Sequence, residues 1–157
     1  MQQELIVMLL SALPVTEMRA ALPLALTTFQ LAPATAIFWC VLGNILPIIF
    51  LLPVLPKLIS WMQHSGPKSI QRLITRYLAY LKSKHTQSFE KIGAASLGAV
   101  TLLPLPGAGV WTGCVLAVLF QIRMRYSIPA LVLGVFVEAV IIFLIVEGTL
   151  GALSWIL

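Results

Sequence analysis

Apolar residues run through this chain in long blocks without the polar alternation of a water-facing helix or strand, and the few polar interruptions divide it. From Glu4 to Gln30 the only charged break is Leu13-Pro-Val-Thr-Glu-Met-Arg-Ala-Ala-Leu-Pro23, which sets Glu17 and Arg19 between two prolines. Residues two apart on a helix diverge by roughly 200°. A regular helix would therefore turn one of these two charges towards lipid, where charge is costly. A helix break removes the conflict, and proline breaks helices. The pattern predicts a re-entrant hairpin over 4–30 that turns at Pro14–Arg19. Each arm is about 11 residues, or roughly 17 Å of helix, which is half a bilayer. The alternative is a single spanning helix with two proline kinks and an internal ion pair.

Ala34 to Leu55 follows as a full apolar span, opened by Pro33 and closed by Pro56-Lys57. Asn44 lies near its middle, where an amide needs a partner, either another helix or a substrate. Residues 92–121 repeat the opening problem, with Leu103-Pro-Leu-Pro-Gly-Ala-Gly-Val-Trp-Thr-Gly113 at their centre. So many prolines and glycines do not fit one straight helix, and a second re-entrant hairpin is expected. A last span over 126–147 places Glu138 roughly 18 Å from its start, close to the midplane.

Between the halves, residues 57–91 hold seven of the ten basic residues (Lys57, Lys68, Arg72, Arg76, Lys82, Lys84 and Lys91). This concentration marks a cytoplasmic segment under the positive-inside rule rather than a nucleic-acid footprint. Ile70, Leu73, Ile74, Tyr77, Leu78 and Leu81 give it an amphipathic helix with Lys68, Arg72 and Arg76 on the other face. That basic face serves as a topological anchor or as a recruiter of anionic lipid. His64 and His85 are expected to be solvated.

Two halves emerge, 1–56 and 92–157, each a hairpin followed by a span. Phe29-Gln30 and Phe120-Gln121 close the second arms, and Gly43 and Gly134 follow at equal spacing from each Gln. One hairpin would enter from outside and the other from the cytoplasm, with both termini outside. The expected fold is therefore an all-α integral membrane protein with two full transmembrane helices and two re-entrant helical hairpins, arranged as an inverted repeat. Secondary transporters are built in this way, with broken helices meeting near the midplane. A chain this small is expected to form a homodimer in the inner (cytoplasmic) membrane.

Composition strengthens the membrane assignment. Of 157 residues 60% are hydrophobic and only 10% charged, and the mean hydropathy is +1.02. Soluble domains carry about a quarter charged residues. The chain has no aspartate and a single asparagine, so paired-aspartate catalysis and Asp-rich metal clusters are excluded. No nucleophile–base pair is visible, and neither an enzyme nor a cofactor is expected. Cys40 and Cys114 read as small core residues. The N-terminal Met-Gln-Gln-Glu lacks basic residues, so Leu5–Ser11 does not read as a cleavable signal.

Glu17-Met-Arg-Ala-Ala-Leu-Pro23 resembles the E-x-R-x-A-x-P motif of the small multidrug export protein family. Pro104-Leu-Pro-Gly-Ala-Gly-Val-Trp-Thr-Gly113 is similar to that family's second motif, and the resemblance covers about Pro14 to Glu147. The family is similar in plan to the DedA membrane proteins, which implies re-entrant hairpins and proton-driven transport of drugs or lipid carriers. A DedA-like second hairpin would carry arginine, and this one has none before Arg123.

The residues also suggest chemistry directly. The free amides of Gly107, Ala108 and Gly109, at a helix start shared with Trp111 and Thr112, would attract an anion. Arg19 would complete that site or else neutralise Glu17. Glu17 and Glu138 are the candidate proton carriers, since intramembrane acids mark proton relays. The expected substrate is a small amphipathic or lipid-like molecule exchanged with protons. A lipid-phosphate flippase and an oligomeric, holin-like pore are the alternatives.

Overall fold

The computed structural model describes residues 2–65, 67–68, 71–72, 75–76, 87–102 and 109–156. Six helices account for most of them: α1 (Gln2–Ala12), α2 (Glu17–Thr27), α3 (Pro33–Ser65), α4 (Gln87–Leu102), α5 (Val110–Leu119) and α6 (Met124–Ile156). No strand occurs among the described residues. Most of the predicted amphipathic basic helix, His85, Gly107 and Ala108 lie outside the described residues.

In each half two shorter helices precede a helix of 33 residues. The second short helix ends alike in both halves. Gln30 (φ 49°) and Gln121 (φ 55°) take the left-handed conformation that stops a helix. Beyond Gln121, the Ile122 amide reaches back to the Ala117 carbonyl at 2.9 Å and the Gln121 amide to Val118 at 3.1 Å. These two bonds are a Schellman closure. The Leu31 amide closes α2 similarly, on Ala25 at 3.0 Å.

The long helices α3 and α6 are both long and apolar enough to cross a membrane. Within 34–55 and 126–146 their exposed positions are apolar as well, among them Phe38, Ile49 and Phe50 on α3 and Leu133, Val140 and Leu144 on α6. Such a continuous apolar exterior suits lipid rather than water. Both helices outrun the expected spans, α3 continuing past Pro56-Lys57 to Ser65 and α6 to Ile156. Pro47, Pro53 and Pro56 lie inside α3 without ending it. In an apolar setting neighbouring groups re-satisfy the backbone that a proline frees, so proline interrupts less than it does in water.

Packing follows the two halves. α1 lies on α3 and α4 lies on α6, while α3 also meets α5 and α6, and α2 meets α6. Close approach depends on small residues, as is usual between membrane helices. Gly43 faces the Met8 carbonyl of α1, and Gly134 faces Thr101 and the Gly98 carbonyl of α4. The Ser11 hydroxyl, fully buried, donates to the Cys40 carbonyl at 2.7 Å and ties α1 to α3. The core between the elements is Val7, Met18, Leu22, Ile48, Leu52, Val110, Leu131 and Val135, with both cysteines buried among the small residues.

Candidate functional site

The site begins where α1 stops. Pro14 has no amide hydrogen, so the helix cannot run on regularly through it. The Thr16 hydroxyl donates to the Leu10 carbonyl and the Glu17 amide to the Leu13 carbonyl at 3.0 Å, which fold the break into a compact turn. α2 therefore starts at Glu17, with Arg19 inside its first turn. The break is narrower than the Pro14–Arg19 turn expected from sequence. Pro23, the second expected breaker, is accommodated inside α2. Glu17 itself has φ 44°, a left-handed conformation uncommon for a residue with a side chain. Strain of this kind persists only where the surroundings impose it, and it clusters at functional sites.

Glu17 and Arg19 do not form the primary ion pair. The Arg19 Nε donates to Oε1 of Glu138 at 3.0 Å, across 119 residues of sequence, whereas its Nη2 lies 3.9 Å from Glu17 Oε2. Arg19 thus stands between two carboxylates and is bound to the more distant in sequence. Glu138 is 1% exposed, and its second oxygen, Oε2, is buried with no hydrogen-bond partner. The three charges lie within one cluster at the junction of α2 and α6.

Glu17 has a different partner. The backbone amide of Trp111, in the first turn of α5, donates to its carboxylate. Gly109 precedes α5 in an extended conformation (φ 168°, ψ −167°), and a Cβ there would fall on the Glu17 carboxylate. Of the expected anion-attracting amides only Gly109 lies among the described residues, and the chain's own Glu17 rests against it and the Trp111 amide. Free amides and the helix dipole favour such a carboxylate. The Trp111 indole Nε1 also donates to the Ala12 carbonyl at 3.1 Å. One residue of α5 therefore holds both ends of the first break, the last carbonyl of α1 and the first side chain of α2. Thr112, next to it, is half-buried and partnered.

Asn44 is 1% exposed, and neither its Nδ2 nor its Oδ1 has a partner. The interhelical bond that would have explained it is not made. Sequence reasoning named Trp111 but missed its bridging role, and it missed the Arg19–Glu138 bond. A charge inventory held the signal for the latter, because Glu17, Arg19 and Glu138 are the only charges deep in the apolar blocks.

A second feature lies apart from this cluster. A groove of about 340 Å³ runs between Leu52, Pro56, Ile59 and Ser60 of α3 on one side and Ala117 and Val118 of α5 with the following Gln121–Met124 on the other.

An all-helical fold, two apolar helices of spanning length and a buried charge cluster at a helix break define an α-helical membrane protein. Residues 17–141 match the family model described as "Putative small multi-drug export protein", and the chain belongs to that family. The match starts at Glu17 and takes in Arg19, Trp111 and Glu138. Neither the curated proteins nor the solved structures include a match to the chain.

Proposed function

We propose that this protein is a proton-coupled transporter that exports a hydrophobic or amphipathic small molecule across the inner (cytoplasmic) membrane. The observation that carries this reading is the Glu138–Arg19–Glu17 cluster, a single guanidinium between two carboxylates at 3.0 and 3.9 Å. Charged side chains at membrane depth mark proton and substrate pathways. When Glu138 takes up a proton its hold on Arg19 weakens, and the guanidinium turns to Glu17. That exchange pulls on α2 and, through the Trp111 amide, on α5. Proton binding is thereby linked to the relative position of the two helix breaks.

The matching order of elements, the paired Gln caps and the paired glycine contacts support two re-entrant hairpins related as an inverted repeat. In such a repeat the breaks meet near the midplane, where transporters bind their substrates. The proposal includes a homodimer, since one chain this small does not enclose two hairpins. A pore would need no buried carboxylate with an unpartnered oxygen, and this favours the transporter reading over the holin-like one.

The test is substrate-dependent proton flux in liposomes holding the purified protein under an imposed pH gradient. Proton movement that requires both substrate and Glu138 is the expected result. Substrate efflux indifferent to the gradient would refute the coupling.

A further inference from the structure

We propose that the ligand of this site is an amphiphilic protonated amine, which competes with a proton for the unpartnered oxygen of Glu138. Under the transport reading above, on which this rests, that amine is the exported molecule. Two features of the cluster would draw an anion, the start of α5 and the Arg19 guanidinium. Each already faces a carboxylate of the chain itself, Glu17 on the Trp111 amide and Glu138 on Arg19 Nε. An anionic ligand would have to displace one of them, leaving a carboxylate without its partner in an apolar interior. Breaking a buried pair in that way is strongly unfavourable.

The unmet demand has the opposite sign. With both acids ionised the cluster carries two negative charges against one positive. Glu138 Oε2 is a buried acceptor with no donor, and Asn44 offers a second unpartnered polar group on α3, which packs against α6. Among the described residues, the other elements packed on this cluster bring no further charge to it. α5 and the stretch of α3 from Pro33 to Pro56 carry no charged side chain, and their thiols, Cys40 and Cys114, are neutral core residues. The stretch of α4 from Gly93 to Thr101, which packs on α6, carries no charged residue either.

A proton on Oε2 neutralises the cluster and converts the bare anionic acceptor to an O–H. An ammonium group neutralises it likewise, through an N–H donated to that oxygen. Both together would leave a net positive charge and an oxygen asked to serve twice, so the two exclude each other. Each ammonium that enters displaces one proton to solvent. No bond is made or broken other than the carboxyl O–H, and the exchange is electrically neutral. A quaternary ammonium supplies the charge without the N–H and leaves Oε2 unsatisfied. A buried acceptor built to receive a donor discriminates strongly against a ligand that lacks one.

The test uses the full chain in phosphatidylcholine nanodiscs, titrated with octylamine, octyltrimethylammonium and octanesulfonate. An alkyl amine, like a lysine side chain, is protonated at neutral pH. Calorimetry follows binding, and a pH dye in weak buffer follows proton release. Octylamine should release up to one proton per chain and bind at least tenfold tighter than octyltrimethylammonium, and octanesulfonate should not bind. Glu138→Gln should abolish the release. The comparison of three ligands on the unaltered protein stands even if that variant does not fold. Octanesulfonate competing with octylamine, or equal binding of the two cations, would overturn the proposal. Binding with proton release but no proton-driven amine flux in liposomes would support the amine site and refute the transport reading alone.

Discussion

Replacing Gly109 with alanine is a small change with a calculable effect. Its backbone is extended, so alanine adopts the same conformation without strain. The added methyl would, however, overlap the carboxylate of Glu17, which rests against this glycine and accepts the Trp111 amide. The far end of a glutamate is movable, so the carboxylate shifts rather than the backbone. Shifting it loses a hydrogen bond to a charged group, worth about 1.5–3 kcal/mol. Against this, alanine restricts the unfolded chain and returns about 0.4–1 kcal/mol. The net expectation is a destabilisation of about 1–2 kcal/mol, measured by equilibrium unfolding of the purified protein in lipid–detergent micelles.

A double-mutant cycle isolates the cause. In a Glu17→Ala background the methyl meets no carboxylate, and Gly109→Ala should become neutral or slightly stabilising. The coupling energy should then be about 1.5–3 kcal/mol. Equal cost in both backgrounds would refute the contact, and with it the claim that Glu17 caps α5.

Removing the Glu138 side chain by Glu138→Ala leaves Arg19 without its 3.0 Å partner and should cost about 3–5 kcal/mol, whereas Glu138→Gln keeps an acceptor and should cost less than half as much in thermal unfolding. Trp111→Phe removes the indole donor to Ala12 and should lower stability by about 0.5–1.5 kcal/mol while speeding amide exchange at the first break. Gly43→Ala would drive a methyl onto the Met8 carbonyl, which is backbone and cannot move aside, for a cost of about 1–3 kcal/mol. Gly148→Ala meets nothing within 4 Å and should instead stabilise α6 by up to about 1 kcal/mol, and the same melting series checks both.

Much of the site was legible because charge is so rare in this chain. Glu17, Arg19 and Glu138 stand out against apolar surroundings, and Pro14 marks the first break. Which acid holds Arg19 was not legible, because sequence proximity favours Glu17 while the fold delivers Glu138 from α6. A residue two positions away on a helix points elsewhere, and that geometry already argued against a tight local pair. Proline was a poorer guide. Pro14 lies at a break, yet Pro23, Pro47, Pro53 and Pro56 sit within continuous helices. Whether a proline breaks a helix depends on what else can satisfy the freed carbonyl, and this is tertiary information. The role of Trp111 was hidden for the same reason, since an indole and a backbone amide acting on two sides of a distant break leave no periodic signature.

The span between the partners also sets an order of assembly. Glu17 and Arg19 are synthesised long before Trp111 and Glu138, the latter 119 residues after Arg19. At 5–20 residues per second, roughly 6–24 s separate Arg19 from its carboxylate. During that interval the first break has neither the indole that holds its carbonyl nor the amide that caps its acid, and only Glu17 is near enough to balance Arg19. Burial of the first break in an apolar environment during that interval would leave Arg19 without the carboxylate that it meets in the folded protein. The cluster is complete only once α5 and α6 have been made, so the expected order of assembly is one late closure across both halves, which protease accessibility of chains stalled before and after Glu138 would check.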